Sequence, residues 1–486
     1  MKNKLNLFSA LLFQLVTIIT GLIVPRLIIT TFGSEVNGLI SSINQFLSFI
    51  TLLEGGVGAV VLAELYKPIE ENDKKLIFYI INECEKYFRK LSLVFLFYTF
   101  MLMIVYPMFL AKNMNFGYVS SLIFILSITT LMQYMFSITY KLFLQANQKI
   151  YISNFVSSAI VIINLILTII IICYVPSIHL VKICSSLVFL IQPYVYNHYV
   201  KKHYQIDKNV ESNKVILQEK RSGFSQNLAH FINMNTDIMV ITIFLSLTEV
   251  SVYSIYMLAL TALRSIITTG ANSYQAALGK YIAMNEERLL RSKFSKYELL
   301  IWFVSVVLFS TCLLLINPFV NIYTSGVKDA NYYRPLFALI MTIAQFFFSA
   351  RESYRYLILA GGKFKETNFG AIMEAVINIF VSIVLVHFWG IIGVAVGTLI
   401  AIVFRLIYFI IYLKNNIIFF KMINFVALII SSIIVFTINI IVYFVFEISI
   451  NNFSSFFIWG IGIFLCELVL ATLVFWIVYK QLTSHN

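Results

Sequence analysis

The chain carries one hydrophobic unit twice, at a spacing of 214 residues. Tyr140, Ala146, Lys149, Asn154, Phe155, Ile163 and Asn164 recur without a gap as Tyr354, Ala360, Lys363, Asn368, Phe369, Ile377 and Asn378. Lys141 answers to Arg355 at the same spacing, and upstream Glu35, Val36 and Gly56 recur as Glu249, Val250 and Gly270. The window 140–164 thus holds seven identities, where chance would give about two, so the unit is duplicated. Such a chain folds as two like lobes, the construction many transporters use around a central pathway.

Composition places both copies in a membrane. Hydrophobic residues make up 60% of the 486 and charged residues 12%, with a mean hydropathy of +0.89. No water-facing surface can be built from that mixture over this length. Fourteen apolar runs follow one another, at 5–31, 36–63, 91–111, 118–143, 152–174, 178–199, 223–246, 250–279, 297–323, 334–360, 367–388, 390–413, 422–446 and 454–479. Each is near the ~20 residues a helix needs to cross the hydrocarbon core, and the longer ones are expected to tilt. The first run is too long for a cleavable signal and lacks a small-residue cleavage site, so it reads as a retained span.

The predicted architecture is therefore all-α and polytopic. Six spans fill each copy, and an even number gives both copies the same orientation, so the repeats are parallel. Lobe one is expected at 1–206, lobe two at 222–414, and the polar stretch 201–221 is the linker. Two further spans, at 421–480, have no counterpart in the repeat. Stripes of apolar residues after Pro68 (Leu76, Ile77, Ile80, Ile81, Cys84) and at Leu289, Leu290 and Phe294 predict interfacial amphipathic helices at equivalent places in the lobes. Gly55, Gly56, Gly58 and Gly270 allow bending or close helix contact.

A net charge of +13 raises the question of a nucleic-acid partner, and its placement answers it. Lys2, Lys4, Lys67, Lys74, Lys75, Arg89, Lys201, Lys220, Arg221, Arg288, Arg291 and Lys414 collect on one side if the N-terminus is inside, whereas the other side holds little beyond Lys112, Lys328 and Arg334. That is the positive-inside pattern, so charge encodes orientation, with both termini cytoplasmic and no nucleic acid implied. The five cysteines have no metal-ligand or redox spacing, and neither a metal nor a cofactor is expected.

Charges inside the spans carry the functional signal. Arg26, Arg264, Arg351, Arg355 and Arg405 fall there, each costing about 2.5–3.5 kcal/mol at a helix centre, so each needs a partner, an aqueous cavity or a headgroup to snorkel to. Arg264 lies near mid-span and Arg351 somewhat towards the cytoplasmic side, which makes snorkelling awkward for both and favours a cationic cavity. A guanidinium fork suits phosphate oxygens. Arg26, Arg264, Arg351 and Arg405 are the candidate substrate-binding residues. Opposite them in the repeat stand Val240, Ile50, Ser137 and Ile191, whereas Arg355 faces Lys141 and reads as structural. Glu54, Asp237 and Glu374 are candidates for ion coupling or ion pairing. Asp237 and Arg264, on consecutive spans, either pair across their hairpin or act separately. Asn44, Gln45, Asn227, Asn235, Asn272 and Asn378 are buried amides for sugar contact or interhelical hydrogen bonds.

Several runs resemble bacterial O-antigen and capsule flippases, the polysaccharide transporter branch of the multidrug/oligosaccharidyl-lipid/polysaccharide exporter superfamily. These are Leu144-Gln145-Ala146-Asn147-Gln148-Lys149-Ile150-Tyr151, Ala277-Leu278-Gly279-Lys280, Asn317-Pro318-Phe319, Tyr323-Thr324-Ser325-Gly326, and Gly390 to Ala395 with Gly397-Thr398. The resemblance spans the chain. It implies a six-plus-six-plus-two, V-shaped, MATE-like membrane protein of the bacterial cytoplasmic membrane, without enzymatic activity, working by alternating access. The implied substrate is an undecaprenyl-diphosphate-linked oligosaccharide, the implied partners are membrane lipids and the polysaccharide polymerase complex, and a proton or sodium ion is the implied coupling ion. Related lipid II flippases carry cavity arginines on the first and eighth helices, where Arg26 and Arg264 fall; their second-helix arginine has only Glu54 near it here. Two alternatives belong to other classes: a multidrug cation antiporter of the same superfamily, and a membrane glycan polymerase or ligase, which would need longer outer loops than this chain has.

Overall fold

A computed structural model describes residues 2–54, 56–204, 231, 235–284, 286–363, 366–416, 422–446, 450 and 452–483, and among these every regular element is a helix. Hydrocarbon offers no hydrogen-bond partner to a free backbone amide, so a chain this apolar closes its backbone bonds within helices. The chain divides into two compact units, Met1–Phe231 and Ile232–Asn486.

The first unit holds α1 (Lys2–Phe32), α2 (Ser34–Leu47), α3 (Ile50–Glu54), α4 (Val57–Glu70), α5 (Lys74–Phe109), α6 (Phe116–Phe136), α7 (Ile138–Ala146), α8 (Ile150–Tyr174), α9 (Ile178–Phe189) and α10 (Ile191–Tyr204). Here α1 packs on α8, α5 on α6, and α9 on both α6 and α8. The second holds α11 (Asn235–Phe244), then α12 (Leu247–Ser273), α13 (Gln275–Ala283), α14 (Glu287–Tyr323), α15 (Pro335–Ala350), α16 (Glu352–Ala360), α17 (Asn368–Trp389), α18 (Ile391–Asn416), α19 (Met422–Val445) and α20 (Phe453–Thr483). In it α14 is the central post, touching α12, α15, α19 and α20, while α17 and α18 form a close hairpin that α15 lies against. Gly393 and Gly397 allow that approach, because a Cβ at either would collide with the backbone of α17 at Leu385 or Ser382.

Among the described residues eleven helices are long and apolar enough to cross a membrane, so this is a multi-pass membrane protein. Three further predicted spans fall outside that set, while 118–143, 178–199 and 250–279 are stepped at Ser137, Leu190 and Tyr274. The run 36–63 is split into α2, α3 and α4, with Gly56 at φ +79° before α4. The run 334–360 is split at Arg351 into α15 and α16. The run 223–246 contributes α11 alone; its earlier part, Asn227 included, lies outside the described residues, as does the linker beyond 204. The interfacial amphipathic helices expected at the cytoplasmic side are instead the first turns of α5 and α14, continuous with their spans. Their stripes are interior: Ile80, Ile81 and Cys84, like Leu290 and Phe294, are buried.

The 214-residue offset carries into the backbone. Both ends of α7, at 138 and 146, fall 214 residues before both ends of α16, at 352 and 360. The residue at the break is Ser137 in one unit and Arg351 in the other. Beyond these short helices the chain turns through a left-handed residue at the same repeat position, Gln148 at φ +56° and Gly362 at φ +68°. A Cβ in that conformation costs about 1–2 kcal/mol. Gln148 is exposed, and Asn6 of α1 bonds only the backbone of this turn, donating to Gln148 O and accepting from Tyr151 N–H. Gln148→Gly is therefore expected to raise stability by about 0.5–1 kcal/mol, allowing for glycine's greater unfolded-state entropy. Gln148→Val should lower it. Apparent melting temperature in detergent checks both, and a glycine variant that melts below the parent contradicts the reading.

Candidate functional site

The second unit concentrates the charges singled out in the sequence. Arg351, at the break between α15 and α16, forms an ion pair with Glu374 of α17. Arg405 of α18 approaches the other oxygen of that carboxylate, Nε to Oε2 3.8 Å, and donates through Nη1 to Thr367 O at 2.9 Å. All three side chains are nearly inaccessible, at 5%, 6% and 5% exposed. The α17–α18 contact makes room for this cluster at Gly370, where a Cβ would collide with Arg405 Nη1 and the Tyr408 ring. Guanidinium faces are covered by aromatic rings: Arg405 Cζ lies 4.3 Å from the Phe409 centroid and Arg351 Cζ 4.3 Å from that of Phe348. Arg351 Nε is buried without a hydrogen-bond partner. Two cations against one carboxylate leave the cluster with an excess positive charge.

Beside Thr367 the loop between α16 and α17 is fastened down. Lys363 Nζ reaches Glu366 Oε1 at 2.8 Å and the Tyr412 hydroxyl donates to its other oxygen. Those two bonds, Lys363 first, hold the exposed Glu366 carboxyl below the usual carboxylate range. A carboxylate lowered in this way keeps its contacts at neutral pH and loses them as pH falls through the lowered value.

Arg264 of α12 is bound differently. Its Nη1 donates to Gln345 Oε1 at 3.2 Å, and its Cζ lies 4.7 Å from the centroid of Phe348, the ring that Arg351 also covers. Among the described residues no carboxylate lies within ion-pairing distance of it. The ion pair with Asp237 allowed by the sequence does not form. Asp237 of α11 instead accepts from Tyr253 Oη at 2.8 Å and from Thr398 Oγ1 at 2.8 and 2.9 Å. Tyr253 occupies the stretch of α12 that faces Asp237, and Arg264 stands eleven residues on, roughly 16 Å along the helix axis.

The Asp237 pocket is a second polar centre in this unit. The Asn378 amide is within hydrogen-bonding reach of the carboxylate, its oxygen being taken by Ser382 Oγ at 3.0 Å. Asp237 is 6% exposed, and its hydrogen-bond donors Tyr253 and Thr398 are neutral. One carboxylate ringed by hydroxyl and amide groups suits a proton or a hard monovalent cation, and lacks the carboxylates a divalent ion demands. Among the described residues no cluster of three His, Cys, Asp or Glu side chains occurs.

The other predicted residues lie apart from these centres. Arg26, half-buried on α1 beside Pro25, and Glu54, at the end of α3, belong to the first unit. Glu54 accepts from Tyr134 Oη at 2.9 Å. Arg355 closes locally on Glu352, at 2.6 Å. Sequence reasoning missed Gln345, Phe348, Tyr253, Ser382 and Thr398. Only Thr398 had a signal, its place in the Gly397-Thr398 motif; Phe348 sits in a Phe346-Phe347-Phe348 run with no mark to separate it from core.

No protein-family model matches this sequence, and no curated protein matches it. Solved structures do. The lipid II flippase MurJ in an inward closed conformation superposes with a TM-score of 0.71 at 16% identity, covering 97% of this chain and 98% of that one. An inward-facing multidrug resistance MATE family transporter gives 0.62 at 12% identity, over 82% of this chain and 95% of that one. A MOP superfamily transporter from Pyrococcus furiosus, described as having a binding pocket of reversed polarity, gives 0.57 at 12% identity, over 84% and 94%. The chain has the helical membrane fold these proteins share.

The triad gives a direct test. Removing one partner of a buried ion pair costs about 3–5 kcal/mol, because the remaining charge stays buried and unpaired. Glu374→Leu should therefore lower apparent thermal stability strongly, and adding Arg351→Met with Arg405→Met should recover much of the loss. A single variant as stable as the parent contradicts the ion-pair assignment.

Proposed function

We propose that this protein is a flippase that moves an undecaprenyl-diphosphate-linked oligosaccharide from the inner to the outer leaflet of the bacterial cytoplasmic membrane by alternating access, for surface polysaccharide assembly. Arg264 carries the reading: a guanidinium in mid-span whose contacts are an amide oxygen and a phenyl ring rather than a carboxylate. Such a cation retains binding capacity for an anion, and its planar fork fits phosphate oxygens. Arg26 is the substrate-binding arginine of the first unit in this reading, although it is not the repeat equivalent of Arg264. Arg351 and Arg405, held by Glu374, act on the substrate through the field of their excess charge. The likeness in fold to a lipid II flippase supports a lipid-linked substrate.

The chemistry of the cargo agrees. A diphosphate headgroup cannot cross hydrocarbon unaided, whereas a polyprenyl tail stays in lipid. With the inside negative, outward movement of each net negative charge gains about 2.3 kcal/mol per 100 mV. Asp237, with Thr398 and Asn378, is the coupling site for a proton or sodium ion in this reading. A multidrug cation antiporter shares the fold, and the buried Asp237 would serve it. An uncompensated Arg264 opposes it, because an organic cation near that guanidinium would be repelled.

Arg264→Ala is expected to abolish glycan export while membrane insertion and detergent stability stay at parental levels, and Arg264→Lys to retain part of the activity. The measurement is surface polysaccharide, with the lipid-linked precursor accumulating on the inner leaflet. Full export by the alanine variant would sink the proposal. Drug resistance conferred by the parent, and lost in Asp237→Asn, would favour the antiporter.

A further inference from the structure

We propose that Lys182 is an anion-binding residue of the first unit, receiving a phosphate oxyanion carried by a lipid. Lys182 lies on α9 just over one turn from its start, within the apolar span 178–204. It is half-buried, and among the described residues it has neither an ion pair nor a hydrogen bond. The helices packed on α9 are α6, α8 and α10. None of these four helices contains an aspartate or a glutamate. No neighbouring helix can therefore supply the counter-charge.

The turns of α9 on either side of Lys182 carry polar residues and no acidic ones. His179 and Ser186 stand three residues before and four after Lys182, on the same face of the helix. His179 Nε2 and Ser121 Oγ of α6 are 2.8 Å apart, and the His179 ring packs at 4.7 Å on Tyr118. Ser186 Oγ donates to Ile125 O at 2.9 Å and accepts from Thr129 Oγ1 at 3.3 Å. Both contacts are with α6, so Lys182 projects between two polar crossings of the α6–α9 interface. The polar groups nearest along the helix, His179 and Ser186, are each bonded to α6.

An unpaired ammonium within a membrane segment is expensive and persists where an anion reaches it or where its stem carries it to a headgroup. The anion abundant at that depth is phosphate on lipid. Lysine binds it as a point charge with three donors, without the planar geometry that arginine imposes. Two sources share this chemistry: the diphosphate of a polyprenyl-linked glycan and the headgroup of a bulk phospholipid. The inference stands apart from the Arg264 reading, because it requires a bound phosphate and not transport.

Native mass spectrometry of the purified protein, titrated separately with undecaprenyl diphosphate and phosphatidylglycerol, tests it. Lys182→Met, matched in length and apolar, should weaken phosphate-lipid binding about tenfold, the size of one charge-assisted hydrogen bond. Lys182→Arg should keep parental affinity, which separates loss of charge from loss of packing. A loss confined to undecaprenyl diphosphate assigns the site to transported lipid, and an equal loss for both probes assigns it to a bulk headgroup. Parental affinity of Lys182→Met for both lipids overturns the proposal, whatever Arg264→Ala does to export.

Discussion

A charge in hydrocarbon must be answered locally, and the second unit answers each of its charges in a different currency. Arg355 takes a carboxylate three residues away on its own helix. Arg351 and Arg405 share one carboxylate contributed by a third helix, and so bind α15–α16, α17 and α18 into one block. Asp237 is met by hydroxyls from α12 and α18. Arg264 receives an amide oxygen and a ring face. Only the Arg355–Glu352 pair is balanced in charge; the cluster keeps one positive charge over, and Asp237 is met by neutral donors. Arg264 makes no ion pair among the described residues, its contacts being an amide oxygen and a ring face.

Duplication explains why these solutions sit where they do. The break between α6 and α7 recurs between α15 and α16, with a serine at the step in one unit and an arginine in the other. A related divergence involves the repeat tyrosine. Tyr140 donates to Glu85 at 2.7 Å, and Glu85 also pairs with Arg89 at 3.5 Å. Tyr354 donates to Glu298 at 2.6 Å. The donor kept its place, but the acceptor moved one residue, since Leu299 and Phe303 stand opposite Glu85 and Arg89. One residue is about 100° around a helix, enough to turn a partly exposed carboxylate into one that is 2% exposed. The second unit has exchanged surface pairing for buried polar bonds.

The spans and the repeat were legible in the sequence because hydrocarbon thickness and backbone hydrogen bonding constrain every window of the chain equally. Interruptions were legible only where the residue type advertises them, as at Gly56. The steps at Ser137 and Arg351 involve neither glycine nor proline, and nothing local marks them. Site geometry was less legible still. Arg351, Arg405 and Glu374 were each conspicuous as intramembrane charges, but that they form one cluster depends on the α17–α18 approach made possible by Gly370, Gly393 and Gly397. Whether Asp237 and Arg264 pair is not legible, because span boundaries give depth only to within a turn or two and a hydroxyl partner such as Thr398 leaves no trace in hydropathy. Lys182 escaped notice among more numerous arginines, and its isolation appears only once the helices around it are known.

The shared fold makes the sign of the charge, rather than the architecture, the discriminating variable. A scaffold common to a lipid flippase and multidrug transporters does not select between an anionic and a cationic cargo. What selects is whether charge remains after the protein's own groups have paired. In the second unit the pairing leaves positive charge twice, at Arg264 and in the Arg351–Glu374–Arg405 cluster, and Phe348 brings the two together by covering both Arg264 and Arg351. A cationic drug would meet repulsion from both. A diphosphate would meet attraction from both, at a ring whose low-polarity face strengthens each interaction by excluding water. The negative carboxylate left over, Asp237, forms no ion pair with the guanidinium and is met instead by the Tyr253 and Thr398 hydroxyls.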